Sequence, residues 1–108
     1  MPSPNAQILR SRIGKVCVAI IGATATELIE KASAVVKETP FLEFRLDYLE
    51  KPALAFPKIR EFLEVNNAST VIATCRRAAN GGKFEGTVTA QLEILIKAAA
   101  AGCQIVDI

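Results

Sequence analysis

The chain has 108 residues, 51% of them apolar and 22% charged, enough for one small domain with a packed core. Thirteen basic against eleven acidic residues leave a net charge of +2, too balanced for a nucleic-acid binder or an anionic membrane surface. The sequence holds no histidine, which excludes Ser-His and Cys-His nucleophile pairs and the usual histidine-based metal sites among these residues.

Residues 1–14 read as a leader, loosened by Pro2, Pro4 and Asn5. They lack the basic and apolar regions of a signal peptide, and no apolar run reaches the roughly 20 residues of a membrane span. A cytoplasmic protein is expected. "KVCVAIIGAT" then reads as a strand with both faces apolar. Thr24 or Thr26 can cap a helix over "TELIEKASAVVKE", with Glu27 in its first turn and Leu28, Ala32, Val35 and Val36 on one face. Thr39-Pro40 stops it.

"FLEFRLDYLE", Phe41 to Glu50, reads as a strand that alternates apolar residues with Glu43, Arg45 and Asp47. The next helix carries Leu54, Ile59, Phe62 and Leu63, with Pro57 in its first turn and Asn66-Asn67 at its end. "STVIATCRR" is the third strand, and Gly81-Gly82 marks a turn in the loop after it. A helix follows, with Leu92, Leu95, Ile96 and Ala99 sharing a face and Gly102 closing it. "CQIVDI" is a fourth strand.

The order β-α-β-α-β-α-β, at about 30 residues per unit, is α/β architecture with a parallel sheet and right-handed crossovers. It fits an open sheet or the N-terminal portion of a (β/α)8 barrel, three βα units plus a fourth strand over residues 15–108. The charged strand weighs for the barrel, where one face of each strand turns inward and charged groups at the strand C-termini make an active site. Glu43, Arg45 and Asp47 share a face by their spacing of two, and Arg76 ends the third strand. Two arginines at neighbouring strand ends can grip a carboxylate. The same spacing fits a buried ion-pair network equally well.

Cys17, Cys75 and Cys103 are an odd, widely spaced set. They read as buried, reduced thiols rather than disulfides or zinc ligands. "NGGKF" is not a phosphate loop, since G-x-x-x-x-G-K-[ST] is not met, and Lys83 reads as solvated. Glu85 and Thr87 read as the start of the following helix.

Two motifs together, "EFRLDYL" and "TCRRAANGGKFEG", with "GCQIVDI" beyond them, resemble the type I 3-dehydroquinate dehydratases from about Lys15 to Ile108. The resemblance implies a (β/α)8 barrel, commonly a homodimer, that dehydrates 3-dehydroquinate to 3-dehydroshikimate in the shikimate pathway without metal or cofactor. A lysine forms an imine with the ketone and a histidine serves as general acid and base. It further implies that Glu43, Arg45 and Arg76 bind substrate and that Asp47 supports the arginine. Asn80 stands where the family usually carries a glutamate that positions the histidine, and Ala19 where some members carry a serine. The catalytic histidine and lysine belong to later strands, so these residues hold part of a substrate site and no catalytic residue.

The alternative is a non-catalytic half-barrel that binds an anionic metabolite or a partner chain. Another imine-forming barrel enzyme, such as an aldolase, fits the paired arginine motifs less well. A sheet with unpaired edges is expected to self-associate or to pair with the C-terminal part of a barrel.

Overall fold

The computed structural model describes residues 16–107; the leader, Lys15 and Ile108 lie outside them. Four short strands alternate with three helices: β1 (Val18–Ile20), α1 (Ala25–Val35), β2 (Phe41–Arg45), α2 (Phe56–Val65), β3 (Thr70–Thr74), α3 (Val88–Ala101) and β4 (Ile105–Asp107). The strands pair in parallel in the sequential order β1-β2-β3-β4. That is the order a barrel requires; an open doubly wound sheet would place β1 centrally.

The helix boundaries follow from local chemistry. Thr24 caps α1, its hydroxyl accepting from the Glu27 N–H, and Thr87 caps α3 by accepting from Ala90. Gly102 closes α3 in the left-handed region, at φ 118°. Pro57 sits in the first turn of α2, where its missing N–H costs little.

Ile20, Leu42, Phe44, Val71, Ala73 and Cys75 form one core with Leu28, Ala32, Ile59, Phe62, Leu95 and Ala98 from all three helices. The helices therefore share one face of the sheet. Phe44 is fully buried there, its ring 5.7 Å from that of Phe62. Strand alternation sends Ala19, Glu43, Arg45, Ile72, Thr74, Ile105 and Asp107 to the other face. Register aligns them in rows across it: Ala19, Glu43, Ile72 and Ile105, then Arg45, Thr74 and Asp107. The carboxamide of Gln104 locks β4 onto β3, accepting from the Val71 N–H and donating to the Ser69 carbonyl.

Four expectations need correction. Leu54 precedes α2, in a 3-10 turn at Pro52–Leu54, and is exposed. Helix α3 buries Leu95, Ala98 and Ala101, whereas Leu92 and Ile96 face out and Ala99 is exposed. With so many apolar positions around that helix, periodicity does not single out its inner stripe. Cys17 is exposed, since it belongs to the helix-free face; Cys75 and Cys103 are buried as expected. Finally, β2 stops at Arg45, and Leu46–Tyr48 forms a 3-10 turn. Asp47 thus lies beyond the strand and does not extend the face of Glu43 and Arg45.

Candidate active site

The expected residues gather where the strands end. Arg45 closes β2 with a side chain only 13% exposed. The 3-10 turn after it brings the fully buried carboxylate of Asp47 back onto the guanidinium. Nε donates to Oδ1 at 3.1 Å and Nη2 to Oδ2 at 2.8 Å. The Tyr48 ring lies 5.0 Å below the guanidinium carbon. These contacts raise the Arg45 pKa above its ordinary value, chiefly through the hydrogen bond to Asp47, against the opposing effect of burial; the Asp47 and Glu43 charges add to it.

Glu43 lies one row further in, half-buried, and its Oε2 accepts from the Thr74 hydroxyl at 2.7 Å. Thr74 is 1% exposed and sits directly across from Arg45. Two residues on, Arg76 leaves β3. It is 45% exposed on its side chain and reaches Asp107 of β4 at 3.6 Å. Asn80, exposed on a 3-10 turn at Ala78–Asn80, lines with Thr74, Arg76, Gln91 and Asp107 a cavity of about 290 Å3. Gln91 crosses to it from α3, donating to the Cys75 carbonyl.

The loop over this cavity requires its two glycines. Gly81 adopts φ 88°, and a Cβ on Gly82 would lie 2.0 Å from the Arg76 carbonyl oxygen. Phe84 donates to that same carbonyl, and Lys83 donates its backbone N–H to Asp47 Oδ2 at 3.1 Å. Lys83 itself is exposed.

The two buried thiols are held in their neutral form at neutral pH. Burial, with Asp47 adding to it, pushes Cys75 up to about 11, and burial alone pushes Cys103 up to about 12. Cys17 is raised by partial desolvation and then by the Glu43 carboxylate on the same face. Among the described residues, no group of three or more acidic or cysteine side chains converges to hold a metal.

Glu43, Arg45, Arg76 and Asn80 thus come to one end of one face. Sequence reasoning missed Thr74, Asp107 and Gln91. Thr74 precedes Arg76 by two and Asp107 alternates with Ile105, so strand periodicity carried a signal for both. For Gln91 no local signal existed, because its role depends on how α3 packs.

A parallel sheet in sequential order, helices on one face and charged side chains at the strand C-termini of the other, is the N-terminal portion of a (β/α)8 barrel. A crystal structure of 3-dehydroquinate dehydratase from Geobacillus kaustophilus shares this fold at a TM-score of 0.70 and 17% identity, over 85% of this chain and 38% of that one. The family model for type I 3-dehydroquinase matches residues 16–108, and the chain belongs to that family. It is 35% identical over 94 residues to 3-dehydroquinate dehydratase of Coxiella burnetii, and 37% over 95 residues to that of Methanothermobacter thermautotrophicus. Each alignment takes in 87% of this chain but only 39% and 41% of the relatives' own lengths.

Proposed function

We propose that this chain supplies the substrate-gripping part of a 3-dehydroquinate dehydratase, a lyase that converts 3-dehydroquinate to 3-dehydroshikimate in the shikimate pathway. Residues 15–108 are the barrel portion and residues 1–14 a leader. Arg45 and Arg76 grip the substrate carboxylate, and Glu43 holds a hydroxyl group or orients an arginine. The imine-forming lysine and the acid-base histidine come from strands that follow β4. No metal or cofactor takes part. The protein works in the cytoplasm, and its helix-free sheet face is covered by the rest of a barrel or by a second copy of the chain. Among the described residues no helix is long and apolar enough to cross a membrane.

One observation carries this reading: Arg45 ends β2 and Arg76 follows the neighbouring strand β3 by two residues, next to the Thr74 that pairs with Arg45, in a chain of this family. The test is borohydride reduction in the presence of 3-dehydroquinate, followed by mass spectrometry. In a protein that joins this chain to the remaining barrel strands, the adduct should fall on a lysine beyond Ile108. The 108-residue chain alone should trap none and show no dehydration. An adduct on Lys83 would overturn the assignment.

A non-catalytic half-barrel is the second reading, favoured by the exposure of Ala19, the inward-facing residue of β1. Sedimentation of the 108-residue chain separates the two forms of closure. A dimer supports pairing of two copies, and a monomer that binds a separate C-terminal piece supports pairing with the rest of the barrel.

A further inference from the structure

The two arginines come at and just after the ends of different strands and are held very differently, yet one carboxylate touches the supports of both. Asp47 Oδ1 accepts from Arg45 Nε, while Oδ2 accepts from both Arg45 Nη2 and the Lys83 N–H. The Lys83 bond crosses 36 residues of sequence, from the end of β2 to the loop after β3. That loop is in turn fastened to Arg76, by the Phe84 N–H on the Arg76 carbonyl and by Gly82 lying against the same backbone. A fully buried carboxylate that accepts from three donors is fixed in place.

We propose that Asp47 is a positioning residue for the whole anion grip: it aims Arg45 through its side chain and fixes Arg76 through the backbone of residues 82–84. The spacing between the two guanidinium groups is then set by one carboxylate rather than by the strands alone. This rests on the reading of Arg45 and Arg76 as substrate-binding groups.

The test is nuclear magnetic resonance of the 108-residue chain, reading backbone amide exchange and the arginine Nε–H signals. In the unaltered chain, the Lys83 amide should be protected although its residue is exposed in a glycine-rich loop. In Asp47→Asn, the Lys83 and Phe84 amides should exchange at least about tenfold faster, as loss of a hydrogen bond to a charged group implies. The Val36 amide, bonded to Ala32 in α1, serves as the control for an intact fold. The Arg76 Nε–H signal should move as well, although Asp47 does not touch that side chain. Arg45→Lys should leave Lys83 protected and Arg76 unmoved.

An unprotected Lys83 amide in the unaltered chain overturns the proposal without any variant, which covers the case in which Asp47→Asn does not fold. So does an Asp47→Asn chain in which only Arg45 changes. Failure of the substrate reading appears elsewhere, as unchanged 3-dehydroquinate affinity in Arg45→Ala and Arg76→Ala, and leaves the exchange pattern intact.

Discussion

Arg45 ends β2 and Arg76 follows the adjacent strand β3 by two residues, but the chain treats them oppositely. Arg45 is nearly buried, forked onto a buried carboxylate and backed by an aromatic ring. Arg76 is half-exposed and meets a half-exposed Asp107 at 3.6 Å. A buried pair is geometrically rigid and costly to break, whereas an exposed one adds little stability and can rearrange. One arginine is thus held through its side chain, and the other is tied down through its backbone while its guanidinium meets only an exposed partner. The difference arises after the strands end. Behind Arg45 the chain makes a tight 3-10 turn that returns Asp47, and behind Arg76 it departs into a glycine-turned loop.

The sharpest way to break this contrast is Asp47→Ala. It leaves the nearly buried Arg45 without its partner, and the loss of stability should be about 3–5 kcal/mol, read from urea denaturation. A loss below about 1 kcal/mol would mean that the pair is as weak as a surface one.

The thiols extend the same contrast between covered and open positions. The folded values of Cys75 and Cys103, about 11 and about 12, lie above the ordinary value of 9.0. Their neutral forms therefore stabilise the fold fully below pH 9, and that contribution is lost as pH rises toward the folded values. The loss should reach up to about 1.4 kcal/mol per pH unit for each thiol. Urea midpoints at pH 8 and pH 10.5 measure it, and Cys103→Ala should flatten the difference. In the native chain a thiol reagent should label Cys17 and spare the other two; equal labelling would show that the helix-covered side opens readily.

The smallest effect belongs to Asp107→Ala. It should change stability by no more than about 0.5 kcal/mol, because the Arg76 pair is exposed and long. A larger change would place Arg76 in the same class as Arg45.

Much of this was legible in the sequence. β-branched runs at 30-residue spacing gave the parallel sheet, and the charges on the second strand gave the barrel sense of its faces. Capping residues narrowed the helix starts to Thr24 or Thr26 and to Glu85 or Thr87, and the caps are Thr24 and Thr87. What escaped was set by tertiary packing. The alternation of "FLEFRLDYLE" continues through Tyr48 on paper, but the strand ends at Arg45 and a 3-10 turn folds Asp47 back onto it. Leu92 and Ile96 look like core residues in an apolar helix and are not, because the sheet and α2 take the stripe beside them. Thr74 carries no charge to draw notice, yet it holds Glu43. Arg45 and Arg76 were both named from their positions at strand ends. Asp47, two residues after Arg45, makes the difference by folding its carboxylate back onto that guanidinium, and spacing alone does not reveal the turn that brings it there.

The paired-arginine site is tested most directly by titrating 3-dehydroquinate into arginine-labelled protein that joins this chain to the remaining barrel strands. The signals to follow are the Nε–H groups of Arg45, Arg76 and the distant Arg60, whose Nη2 donates to the Ala100 carbonyl. Arg45 and Arg76 should shift together along one binding curve while Arg60 stays still, and Arg45→Ala should weaken binding by about 2–4 kcal/mol. Binding that leaves both arginine signals in place, with unchanged affinity in Arg45→Ala, would contradict the site.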